Sequence, residues 1–278
     1  MIKTVSIYFR NDSPMSVIWG GKVKYWIEKN YPKIKIGSKK SQAVIAVGGD
    51  GTILEASQKF QRPNPVILGL NTGHVGFLAS VRDEKDFLTA LEKFCKGDYR
   101  VSKKLMIKAE VTRKGKKIFA SNALNEIAIM SPLGMVELEV CIDDHIVQYI
   151  RGSGVMVATA TGSTAYNLSA HGPIVMPDIK CMVLTEILDH NIPTPSIVIK
   201  RDREVEIKVI EFRQRGFLNI AKSGAPADLL ITADGGENLS ALQKGDIIRI
   251  KRSPGLVKFA EFERGYFFKS LQEKFGYR

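Results

Sequence analysis

The chain has 278 residues, 44% of them hydrophobic and 25% charged, which is the balance of a globular protein with one large domain or two modest ones. No apolar run approaches the ~18 residues of a membrane-spanning helix, and Met1–Arg10 is too short and interrupted for a signal peptide, so a cytoplasmic location with no membrane partner is expected. The formal net charge of +12 suits anionic small molecules, but the basic residues are dispersed (Lys103-Lys104, Arg113–Lys117, Lys200–Arg203, Arg249–Arg252) with no aromatic-interleaved motif, so no nucleic-acid partner is expected.

The first hundred residues alternate strand and helix. Val5–Phe9 reads as a strand, and Ser13-Pro14 as an N-cap followed by proline at the first position of a helix. Gly20-Gly21 weakens that helix. Ala43–Val47 is a short apolar run of the kind buried on both faces of a sheet. It leads into Gly48-Gly49-Asp50-Gly51-Thr52, then a short helix to Phe60 and a second buried strand at Pro65–Leu70. Asp83 caps an amphipathic helix through Phe94 with Phe87, Leu88, Leu91 and Phe94 on one face. This order implies a parallel sheet.

Beyond residue 100 the pattern predicts antiparallel strands. Met106–Val111 and Ile118–Ala120 flank a turn at Arg113–Lys116, followed by Ile127–Ile129. Val136–Ile142 and Ile146–Ile150 form a hairpin about Asp143-Asp144. Later strands are Ser196–Ile199, Val205–Ile210, Leu229–Ala233 and Ile247–Lys251, with a helix at Ser163–Ala170. Tyr266–Phe275 reads as a closing helix that packs back on the first domain. The expected fold is therefore α/β plus all-β: residues 1–100 form an α/β domain with a parallel sheet, completed by 263–278, and residues 101–262 form a β-sandwich-like domain. Cys95, Cys141 and Cys181 lie far apart with no CxxC pair, which argues against a disulfide framework, and His74, His145, His171 and His190 show no metal-ligand spacing.

Four segments carry chemistry. Gly48–Thr52 lies at a strand end and opens a helix, where glycine lets backbone N–H groups approach an anion. Asp50 has two readings there: a cap for the turn or helix, or a base that takes a proton from a hydroxyl. Asn71–Leu78 is a second glycine loop, in which Phe77 either returns to the core or stands beside an adenine or nicotinamide ring. Asn125-Glu126 places adjacent polar residues at an apolar strand, so they are either wet on an edge or in need of a ligand. Thr159–Tyr166 is a further turn, whose Thr161, Ser163 and Thr164 hydroxyls can donate to phosphate or ribose oxygens or else cap a short helix.

In this order and at similar separations, GGDGT, NxGxxGFL, NE and TxTGSTAY resemble the NAD kinase family, and the likeness runs over essentially the whole chain, including Ser169–Pro173, Asp234-Gly235 and Phe268–Tyr277. The resemblance implies phosphorylation of the 2′-hydroxyl of the adenosine ribose of NAD to give NADP, with ATP or inorganic polyphosphate as donor and a divalent metal, expected to be Mg²⁺. It also implies a homo-oligomer, often a tetramer. Carried over, Asp50 is the catalytic base and Gly51 approaches the substrate with it. Asn125 and Glu126 hold the adenosine part, Arg151 and Ser153 stand nearby, and Thr161, Thr164, Ala165, Tyr166, Asn167 and Ser169 line the dinucleotide site. Gly48, Gly49, Thr52, Gly162 and Ser163 are the phosphate-side residues. Four positions depart from the family pattern: Ser153 for aspartate, Ala160 for proline, His171 for glycine and Gly236 for glutamine. Two other readings are an NAD(P)-binding sensor without turnover and a lipid kinase with a similar GGDG turn; the latter lacks the NE and TxTGSTAY combination.

Overall fold

The computed structural model describes residues 2–37, 40–61, 63–189, 194–220, 224, 226–236, 238–263 and 265–276; His190 and Tyr277 lie outside them, and of Asp189 only the backbone is described. In chain order the elements are β1 (Thr4–Phe9), α1 (Pro14–Asn30), β2 (Lys35–Ile36), β3 (Ala43–Val47), α2 (Asp50–Lys59), β4 (Val66–Leu70) and α3 (Phe87–Lys96). They continue as β5 (Arg100–Arg113), β6 (Lys116–Ala123), β7 (Glu126–Met130), β8 (Val136–Ile142), β9 (His145–Thr159), α4 (Tyr166–Ser169), β10 (Cys181–Asp189) and β11 (Ile197–Lys200). The last are β12 (Val205–Phe212), β13 (Leu230–Ala233), β14 (Leu239–Ala241), β15 (Ile247–Glu261) and α5 (Tyr266–Phe275). The chain divides into two compact units, residues 1–104 with 255–278, and residues 105–254.

The first unit is α/β. Its parallel sheet runs β15–β4–β3–β1–β2, with β3 between β1 and β4 in unbroken register. All five residues of β3 are buried, as its uninterrupted apolar run requires. Ser13 accepts the Ser16 N–H and Pro14 takes the first helical position, so α1 starts where its sequence directs. The helix runs through Gly20-Gly21 because Trp19, Val23 and Ile27 are buried in the core against the sheet residues Ile45, Val47 and Leu68. At Asp83 the side chain accepts the Lys85 N–H and opens a 3₁₀ turn that leads into α3. Phe87, Leu91 and Phe94 are buried, but Leu88 is 41% exposed. A residue one step from Phe87 stands ~100° round the helix and falls off the buried stripe.

The second unit is all-β. Its antiparallel order is β14–β13–β7–β9–β8–β12–β15, with β10 joined to both β9 and β11, and β5 to β6. Two tight hairpins turn on residue pairs with positive φ, Lys114-Gly115 and Asp143-Asp144, as two-residue turns between twisted strands demand. Ile127, Ile129, Val155, Val157, Leu138, Ile207, Ile231 and Ile248 are among the buried residues of its core. Several elements differ from the sequence expectation: β2 and β14 were not expected, β5 begins at Arg100 instead of Met106, and α4 is confined to Tyr166–Ser169. β9 does not stop at Ile150 but continues to Thr159, and β15 continues past Lys251 to Glu261. β10 was not expected. Its apolar run Cys181–Leu184 has no alternation because it packs on both sides, and strand and buried helix look alike in such a run. Among the described residues no helix is long and apolar enough to cross a membrane.

Candidate active site

In the first unit the two glycine loops follow neighbouring parallel strands. Gly48-Gly49 follows β3 and Asn71 follows β4, and the Gly48 N–H donates to the Leu70 carbonyl at 2.9 Å. Asn71 fixes its own loop, accepting the Gly73 N–H at 2.9 Å and donating to the His74 carbonyl at 2.8 Å. Asp50 is the first residue of α2, whose N-cap is Gly49. Its carboxylate does not cap the helix. It reaches across to the second loop and accepts the Phe77 N–H at 2.7 Å and the Leu78 N–H at 3.2 Å. The approach is close: a Cβ on Gly76 would overlap the Asp50 carboxylate. Each carboxylate oxygen carries one backbone N–H and keeps capacity for another donor. Thr52 is buried behind the turn and Gly51 is exposed on it.

Phe77 does not stand free for a base or nicotinamide ring. Its ring packs on Phe267 and Phe275 of α5, with centroids 5.5 and 6.4 Å away, and Lys274 lies over it. Sequence spacing could not show this, because the partners are nearly two hundred residues distant.

In the second unit Asn125 and Glu126 are 8% and 5% exposed, so they are not on a wet edge. β7 lies between β9 and β13, which explains their burial. Asp234, to which no role was given from sequence, holds their backbone. Its carboxylate accepts the N–H groups of Leu124, Asn125 and Glu126 at 2.8, 2.7 and 3.1 Å. The side chains are left unfinished: Asn125 Oδ1 and Glu126 Oε2 are buried with no hydrogen-bond partner among the described residues. Burial, with the Asp234 carboxylate adding to it, pushes the Glu126 carboxyl up to about 8. Near neutral pH it is therefore a neutral acid that can donate from one oxygen and accept at the other. Burial, then the Glu126 charge, also raises the Tyr166 phenol above its usual value.

The turn after β9 packs on this pair. Thr159 donates to the Leu124 carbonyl at 2.6 Å and accepts the Gly162 N–H at 3.1 Å. A Cβ on Gly162 would run into the Asn125 backbone carbonyl, so only glycine fits. Two residues expected to face the ligand are committed internally. The fully buried Ser163 hydroxyl donates to the Ala160 carbonyl and accepts the Val175 N–H. Asn167, also fully buried, donates to the Pro173 carbonyl and accepts from Thr185. Thr164 donates to the Thr161 carbonyl at 3.3 Å, whereas Ala165 and Tyr166 are half-buried and Ser169 is exposed.

Arg151 and Ser153 are not brought to this pair within the chain. Ala158 is the β9 residue opposite Glu126, and Arg151 lies seven residues back along the strand, about 23 Å at ~3.3 Å per residue. There it pairs with Glu137 at 3.3 Å. The Ser153 carbonyl accepts the Ser131 N–H.

Among the described residues, no group of three or more His, Cys, Asp or Glu side chains comes together to hold a metal ion. One carboxylate, Asp50, and one amide, Asn71, are fewer ligands than a resident divalent ion takes from protein alone, so this donor set does not fit one.

Comparison with known proteins agrees along the chain. The family model for the ATP-NAD kinase N-terminal domain matches residues 16–99, and that for the ATP-NAD kinase C-terminal domain matches residues 124–262. An NAD kinase of Symbiobacterium thermophilum is 34% identical over 233 residues, covering 83% of this chain and 77% of that protein. One of Caldicellulosiruptor saccharolyticus is 33% identical over 267 residues, covering 95% and 92%. Among solved structures, yeast NADH kinase complexed with NADH superposes with a TM-score of 0.87 at 18% identity, over 100% of this chain and 88% of that one, a likeness of fold. An NAD kinase from Archaeoglobus fulgidus in complex with ATP gives a TM-score of 0.74 at 25% identity, over 97% and 98%. With both of its domains matched and relatives similar over most of their length, the chain belongs to the ATP-NAD kinase family.

Proposed function

We propose that Asp50 is the base of an NAD kinase reaction in this chain. The chain phosphorylates NAD to NADP with ATP. The acceptor is the 2′-hydroxyl of the adenosine ribose, whose oxygen attacks the terminal phosphoryl group in line. The observation that carries this reading is the carboxylate of Asp50, held by two backbone N–H groups between two glycine loops with acceptor capacity to spare. Asp50 orients the hydroxyl and takes its proton as the new P–O bond forms. Backbone amides of Gly49 and Gly51 are suited to phosphate oxygens, since glycine permits close approach at a helix N-terminus, whereas the Gly48 N–H is committed to the Leu70 carbonyl and shapes the turn.

Asn125 and Glu126 hold the adenosine part. Their unpartnered buried oxygens match a purine or ribose edge, which supplies both donors and acceptors. Tyr166 and Ala165 line the same turn, while Ser163 and Asn167 act by holding it in shape. A divalent ion carried by the donor phosphates would neutralise their charge. ATP is the donor, with polyphosphate as the competing one. The active protein is a cytoplasmic homo-oligomer up to a tetramer; exposed Ile146, Tyr149 and Val198 of the second unit offer apolar surface for assembly. The division of labour follows residues 1–100 with 263–278 and residues 101–262, a reading supported by the unit boundaries near 104 and 254.

Incubation with NAD, ATP and Mg²⁺ tests the reading. NADP forms with the parent and falls by about 10²-fold or more with Asp50→Asn. NAD binding without NADP formation from either donor overturns it in favour of a sensor.

A further inference from the structure

Resting on Asp50 as the base, we propose that the C-terminal helix α5 positions that carboxylate, with Ser270 as the contact and Arg82 as its brace. The key is a single peptide unit. The carbonyl of Gly76 and the N–H of Phe77 belong to the same planar peptide. At one end, Ser270 Oγ lies 3.1 Å from the Gly76 carbonyl oxygen and 3.1 Å from the Tyr266 carbonyl oxygen; its one proton serves either, and because Arg82 already donates to the Tyr266 carbonyl the hydroxyl is placed to donate to Gly76. At the other, the Phe77 N–H donates to Asp50 Oδ2 at 2.7 Å. Fixing the carbonyl therefore fixes the direction of the N–H, and polarising the carbonyl strengthens the donation.

Ser270 is fully buried, and it is itself held. Arg82 donates to its hydroxyl, donates to the Tyr266 carbonyl at 3.0 Å, and pairs with Glu273 at 2.5 Å. The guanidinium also lies 4.2 Å from the centroid of the Tyr266 ring. The apolar side of the same brace is the packing of Phe77 on Phe267 and Phe275. Helix, arginine and loop thus converge on one backbone plane beside the reacting carboxylate. Asn71 pins the loop at Gly73 and His74 and Thr72 meets Ser16, while Ser270 holds it at Gly76, next to the carboxylate. Ser270 and Arg82 touch no substrate in this scheme; they are positioning residues, and an error of ~1 Å at a reacting group can cost ~10²-fold in rate.

The test uses the full chain and steady-state NADP formation with Ser270→Ala, Arg82→Lys and Asp50→Asn. Ser270→Ala lowers kcat by about tenfold and leaves KM for NAD and ATP within about twofold, with a thermal midpoint lowered by only a few degrees. Arg82→Lys keeps the charge and the Ser270 hydroxyl but loses the fork, and it shows the same split at smaller size. If Ser270→Ala does not fold, Arg82→Lys carries the test by the same criterion. Parental kcat in the Ser270 variant, or a loss that appears in KM instead, overturns the positioning role. Asp50→Asn separates the two readings. Near-parental activity there removes the base assignment and this inference with it, whereas an inactive Asp50→Asn beside a fully active Ser270→Ala overturns the positioning alone.

Discussion

Glu126 is a buried carboxyl, 5% exposed. Its folded carboxyl holds a proton up to about pH 8, against the usual 4.5 in an unfolded chain. The folded state therefore binds more protons between those values, so stability falls as pH rises from about 4.5 to 8 and levels off above. Glu126→Gln removes the titration, and chemical denaturation of the variant shows a flatter stability curve across that window. The parent's decline is on the order of a few kcal/mol; equal pH dependence in both proteins refutes the account. At His171 the cost is conformational. It adopts φ +61°, a region that costs an L-residue ~1–2 kcal/mol, and it stands where the family pattern has glycine. His171→Gly relieves that strain but adds ~0.4–1 kcal/mol of unfolded-chain freedom. The net expectation is stabilisation of about 0.5–1 kcal/mol, read as a higher urea midpoint.

Between elements, both halves of the chemistry depend on a loop pressed against another loop. A methyl group on Gly76 would land on the Asp50 carboxylate. Gly76→Ala is therefore expected to lower kcat more than tenfold while the unfolding midpoint shifts modestly, since exposed neighbours can yield. Gly162→Ala meets backbone rather than a side chain and is expected to destabilise by about 1–3 kcal/mol and raise KM for NAD. Circular dichroism melts beside kinetics distinguish the two. The elements that sequence revealed well were those with strong local signals. β3 and α5 have their expected bounds, and Ser13-Pro14 starts α1. What it missed depends on partners far along the chain. The strand expected to end at Ile150 continues through Gly152 and Gly154 because β8, β7 and β10 pair along it. For Phe77 the choice between core and ligand ring stayed open in the sequence because nothing local announces Phe267 and Phe275. Asp234 showed only as part of the family likeness at Asp234-Gly235, and its three N–H partners lie more than a hundred residues earlier.

Across the whole molecule, the net charge of +12 is spread rather than massed. Many of the basic residues noted from sequence are paired, as Lys104 with Glu261, Arg113 with the buried Asp246, Lys117 with Glu110, and Arg203 with Asp143. This leaves a diffuse positive field that favours polyanionic substrates. Such a field is screened within about 10 Å at ~0.1 M salt. KM for ATP is therefore expected to rise severalfold between about 0.05 and 0.5 M KCl with kcat little changed. A salt-independent KM would show that only contact charges matter.

The return of the chain to its first unit has a consequence for how the enzyme is made. A ribosome releases residues 1–104 first, then the whole of 105–254, and only then the end of β15 and α5. Until that last segment emerges, β4 lacks the strand that pairs with it at Lys258 and Phe259, and Phe77 lacks its two aromatic neighbours. The all-β unit can finish folding while the nascent first unit waits. Competence therefore waits until α5 has emerged, and a chain cut short just before α5 carries every residue assigned to the chemistry without the helix that aims them.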